Sequence, residues 1–82
     1  MKPIGKITHF YNKLGVAIVK LSAGIKVGDK IKIEGGKHEF NQTVTEIQID
    51  HKIVASAETG DVIGIKVDQK THEGALVSKL EE

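Results

Sequence analysis

The chain has no cysteine and no tryptophan, a single proline, and three aromatic side chains, Phe10, Tyr11 and Phe40. Without cysteine, a disulfide framework and a thiolate zinc site are both excluded, which fits a reducing compartment. No apolar run approaches the ~20 residues that a membrane-spanning helix needs. The start, Met1-Lys2-Pro3-Ile4-Gly5-Lys6, lacks the apolar centre of a secretory signal. A soluble, cytoplasmic protein without membrane attachment is therefore expected. A surplus of one charge is missing too. The 12 basic and 11 acidic residues leave a net charge of +1, unlike a dedicated nucleic-acid binder. The even total hides an uneven distribution. Lys2, Lys6, Lys13, Lys20, Lys26, Lys30, Lys32 and Lys37 crowd the first half, where Asp29 and Glu34 are the only acids before Glu39.

What is present is glycine, isoleucine and valine. At 82 residues the chain is expected to form a single domain over its whole length, residues 1–82. β-Branched apolar residues suit pleated surfaces, and no segment keeps a helical period over the ~10 residues a helix needs. One phrase occurs twice. Gly28-Asp29-Lys30-Ile31-Lys32-Ile33 is echoed by Gly60-Asp61-Val62-Ile63-Gly64-Ile65. Each Gly-Asp can turn the chain into a strand, and each isoleucine pair then falls on one face of that strand.

Further strands are expected over residues 4–10, 16–21 and 75–80, with turns at 11–15 and at Gly35-Gly36-Lys37-His38. Val16-Ala17-Ile18-Val19-Lys20-Leu21 is apolar on both faces, as in a strand covered on both sides or crossing the barrel. The segment 39–50 changes its inward phase between Val44 and Ile47, which predicts a bulge or bend. Segment 51–57 is expected to cross to the second Gly-Asp turn. The class is all-β.

Catalytic and metal signals are weak. His9, His38, His51 and His72 show no close ligand spacing, and no HExxH motif exists, so no metal is expected. Gly35-Gly36-Lys37 lacks the GxxxxGK[ST] spacing and the following helix of a phosphate loop, so neither a bound nucleotide nor any other cofactor is expected. Ser22, Ser56 and Ser78 lack a nucleophile elbow, and no carboxyl pair is poised as acid and base. No enzyme activity is expected. The lysine-rich first half can be a solvated outer face. It can also supply phosphate contacts from Lys13 and Lys37, with Tyr11 as a stacking surface.

Three stretches resemble the second domain of translational GTPases of the elongation-factor-Tu type: residues 19–33, Thr43 to Ile47 together with Thr59 to Ile65, and Glu73-Gly74-Ala75-Leu76-Val77. The resemblance implies a small closed six-stranded Greek-key β-barrel lacking its GTPase. It further implies a non-catalytic translation-factor-like module that contacts ribosomal RNA, tRNA or a translation protein. On that view Tyr11, Lys13 and Lys37 are the RNA-facing residues, and Gly28, Asp29, Gly60 and Asp61 are structural turns. The alternative expectation is a protein-interaction barrel with no RNA role.

Overall fold

The computed structural model describes residues 3–35 and 38–80. It is all-β, with ten strands among the described residues: β1 (Pro3–Tyr11), β2 (Val16–Leu21), β3 (Ile25–Lys26), β4 (Lys30–Gly35), β5 (His38–Thr43), β6 (Ile47–Ile49), β7 (Lys52–Val54), β8 (Ser56–Ala57), β9 (Val62–Lys66) and β10 (Leu76–Lys79). Eight of them form one curled antiparallel sheet in the order β5-β4-β10-β1-β2-β9-β6-β7, and β3 pairs with β8 in a second, two-stranded sheet.

The expected closed six-stranded barrel is corrected here. The sheet has eight strands, and its two end strands, β5 and β7, do not pair with each other. The difference arises in the middle of the chain. Segment 39–50 breaks after Thr43 into β5 and β6, and segment 51–57 divides into β7 and β8. The sheet thereby ends in a short β6–β7 hairpin rather than in a strand that returns to β5.

One side chain spans part of the unpaired gap. Gln42, at the end of β5 and 7% exposed, donates from Nε2 to the Lys66 carbonyl and accepts at Oε1 from the Asp68 N–H, both at 2.8 Å. Its amide thus replaces one rung of a ladder between β5 and the end of β9. Alternation supplies the core. Ile31, Ile33, Ile63 and Ile65 point inward from β4 and β9 and meet Ile7, Val19, Ile47 and Val77, all buried.

The two Gly-Asp turns are built alike. Gly28 and Gly60 hold φ of 98° and 92°, a region glycine enters without steric cost. The Asp29 carboxylate accepts from the Lys26 N–H at 3.0 Å, and that of Asp61 from the Glu58 N–H at 2.9 Å. Each turn also brackets one residue at the end of a neighbouring strand. Gly28 N–H donates to Val44 O while Val44 N–H donates to Asp29 O, both at 2.8 Å. Gly60 N–H donates to Leu21 O at 3.0 Å while Leu21 N–H donates to Asp61 O at 2.9 Å.

Replacing Gln42 with Leu keeps the volume and leaves the Lys66 carbonyl and the Asp68 N–H without their partner. We expect a loss of about 1–3 kcal/mol in denaturant unfolding. Gln42→Glu retains the acceptor for Asp68 but sets a carboxylate against a carbonyl, so its destabilisation should shrink as pH falls and the carboxyl protonates.

Candidate functional site

The outer face of the sheet differs sharply between the two copies of the repeated phrase. On β4 the outward positions are Lys30 and Lys32, and Lys32 Nζ lies 2.6 Å from Glu39 Oε1 and 3.9 Å from Glu34 Oε2. The hydrogen bond to Glu39 raises the Lys32 ammonium above its ordinary pKa. This face is solvated and ion-paired. On β9 the same positions are Val62 and Gly64.

Strand register assembles a groove around Gly64. Paired residues share a face, so Gly64 lies beside Ile18 of β2 and Gln48 of β6. Val16 of β2 pairs with Tyr11 of β1, which extends the same face. A Cβ on Gly64 would stand 3.3 Å from Val16 Cγ1 and 3.5 Å from Ile18 Cδ1, so glycine lets these two side chains pack over β9. Leu14, Val62, Asp50 and His51 complete a cavity of about 400 Å³. Its rim is conspicuously apolar: Leu14 is 67%, Val62 53% and Tyr11 45% exposed. Asp50 and His51, the two-residue loop of the β6–β7 hairpin, both hold positive φ, 51° and 66°. That is the backbone of the primed hairpin turn that Asn-Gly favours, here carried by two residues with side chains.

A second cluster sits where the chain leaves β9 and returns through β10. His9 Nδ1 lies 3.1 Å from Glu73 Oε1, and its ring meets Tyr11 edge-on with centroids 4.3 Å apart. The pair is solvent-exposed, and among the described residues no hydroxyl is hydrogen-bonded to His9, so the arrangement lacks a nucleophile. His72 is held differently. Its Nδ1 faces the Glu73 carbonyl at 2.9 Å and its Nε2 faces the Gly35 carbonyl at 3.1 Å. Carbonyl oxygens only accept, so both contacts are satisfied together by the imidazolium, and the carbonyls of Glu73 and Gly35 raise its pKa. Among the described residues no three His, Asp or Glu side chains converge as a metal site, and no buried side-chain polar atom lacks a partner.

The residues singled out from the sequence separate in space. Tyr11 lines the groove, and Lys13 is exposed in the loop between β1 and β2. Lys37 lies outside the described residues. Gly28, Asp29, Gly60 and Asp61 occupy the two bracketing turns. The groove itself was not anticipated. Its signal was present in the two-faced apolar pattern of β2 and in the exchange of Lys30 and Lys32 for Val62 and Gly64 between the repeats. On the outer face of β2, Val16 and Ile18 are half-buried and line the groove.

No protein-family model matches the chain. It is 36% identical over 80 residues to an uncharacterized protease of Methanocaldococcus jannaschii, a match that covers 96% of this chain and 20% of that protein. The chain thus spans about a fifth of the length of this curated relative. Among solved structures it is similar to the C-terminal domain of a protein assigned to the U32 peptidases of Geobacillus thermoleovorans. The TM-score is 0.91 at 17% identity, covering 98% of this chain and 93% of that one. The selenomethionine form of the same domain also gives 0.91 at 17% identity, with 96% and 100% covered. At this identity the structural likeness is one of fold.

These matches correct the resemblance to the elongation-factor domain, and with it the translation-module and RNA-binding function it implied. The similarity to a protease is a 36% identity over 80 residues, whereas the resemblance to the elongation-factor domain rested on three separated motifs made largely of turn glycines and alternating apolar residues. Those features report a strand corner, and unrelated β folds need the same corner. The relatives carry the names protease and peptidase, so the expectation of no enzyme activity is not supported.

The His72 cation carries a sign that can be checked. Its folded-state pKa is raised above the ordinary 6.5, so its stabilisation is complete below that value and is lost as pH rises through the raised one. Denaturation midpoints measured from about pH 5 to about pH 8 should fall with rising pH, and His72→Gln should remove that share of the slope. A His9→Gln control should leave it in place.

Proposed function

We propose that the chain is a non-catalytic accessory domain serving a peptidase, acting through its outer sheet surface on polypeptide. The observation that carries this reading is the 36% identity across 96% of the chain to one-fifth of a protease. Two features support it. The His9–Glu73 pair is exposed and has no hydrogen-bonded nucleophile among the described residues, which is poor equipment for attack on an amide. The groove around Gly64 offers exposed apolar surface of the kind that marks an interaction site. Cleavage would then belong to a separate catalytic region, and this domain would hold or orient chain for it.

The test uses the purified protein with unfolded casein. Saturable binding by fluorescence anisotropy without the appearance of new amino termini is the expected result. Turnover that scales with protein and disappears in His9→Ala would overturn the non-catalytic reading, and absence of any binding to casein would overturn the polypeptide-binding one.

A further inference from the structure

We infer that the groove over Gly64 receives a bulky apolar side chain of an extended polypeptide whose neighbouring residue is cationic. The inference rests on the polypeptide-binding reading above and names the chemistry of what is bound. Four observations carry it.

The first is the difference between the two copies of one structural phrase. The turns preceding β4 and β9 make the same hydrogen bonds, so the strands that follow present equivalent positions. The fold is served by lysines at these positions on β4, where Lys32 is ion-paired with Glu39. Val62 on β9 is therefore not required by the strand as such. The cost of this choice is apolar surface left in water.

The second is shape. The cavity lined by Val16, Ile18, Gln48 and Gly64 has a volume of about 400 Å³, which falls in the ~300–1,000 Å³ range of ligand-binding clefts. Gly64 is not held at positive φ, so backbone geometry does not demand glycine there. Space does.

The third is the strained rim. Asp50 and His51 sit in the left-handed region, where a residue with a side chain costs on the order of 1–3 kcal/mol, and both line the groove. The turn places a carboxylate and an imidazole at the groove mouth, where Asn-Gly would have made the hairpin with less strain.

The fourth is charge. The chain as a whole carries +1, yet no lysine or arginine lines the groove, and its one carboxylate is Asp50. An occupant with a positive charge beside its apolar side chain matches that rim, and an acidic one does not.

The experiment is a titration of the isotope-labelled protein, followed by amide NMR shifts, with acetyl-Lys-Leu-Phe-Lys-amide, acetyl-Glu-Leu-Phe-Glu-amide and acetyl-Lys-Ser-Ser-Lys-amide. The cationic apolar peptide should move the amides of Gly64, Val62, Gln48 and Tyr11 and saturate at the lowest concentration. Asp50→Asn should weaken it about threefold to fivefold, toward the acidic peptide. Gly64→Val should abolish the shifts. Because that variant crowds Val16, Val62→Lys serves as a second block on an exposed side chain. Equal response to the serine peptide, or saturation unchanged in Val62→Lys, would overturn the inference. So would shifts confined to another face. Casein binding that persists in Val62→Lys alongside any of these results would sink the groove while leaving the accessory-domain reading standing.

Discussion

Two short main-chain brackets set the geometry on which the rest of the molecule depends. In each, a glycine at positive φ turns its N–H outward, and the following aspartate closes the turn with its carboxylate. The glycine N–H and the aspartate carbonyl then grip both backbone groups of one residue on an adjacent strand, Val44 in one case and Leu21 in the other. Both gripped residues are buried. A one-residue slip in either bracket would reverse the face of every following side chain, sending Ile31 and Ile33, or Ile63 and Ile65, toward water. The brackets therefore decide which apolar residues form the core before any packing between them is considered.

With register held in this way, the outer face is free to vary. β4 covers it with lysines and acids, at little consequence for the interior. β9 presents Val62 and Gly64 there, and β1, β2 and β6 supply the walls. A small domain retains only a modest surplus of burial over chain entropy, so exposing Leu14, Val62 and Tyr11 together is a choice its stability tolerates rather than rewards. A binding role for that face gives the exposure a reason. The sheet's incomplete closure has a comparable logic. Gln42 joins β5 to the end of β9 with one amide, which satisfies the Lys66 carbonyl and the Asp68 N–H without lengthening either strand.

The same fold in a peptidase C-terminal domain at 17% identity shows how little of the sequence the architecture needs. Glycines at corners and alternating β-branched residues suffice for this kind of sheet, and they carry no chemistry of their own. That is why turn phrases misdirected the functional expectation toward a translation module while still describing real corners. The comparison over nearly the full chain length carries more information, because it includes positions that the fold leaves unconstrained.

The sequence by itself determined the all-β class, the inward isoleucines of β4 and β9 and the break near Val44, because alternation and glycine act over a few neighbouring residues. It also held the contrast between Lys30 and Lys32 and their counterparts Val62 and Gly64, though not its meaning. The number of strands in the sheet, the failure of β5 to meet β7 and the split of residues 51–57 were decided by long-range pairing. The groove belongs to that second group. Tyr11 and Val16, Gln48 and Asp50, and Gly64 come from three separate stretches of the chain, and only the register of four strands sets them around one space. The raised pKa of His72 is likewise a tertiary product, since one of its two carbonyl partners, Gly35, comes from a distant strand.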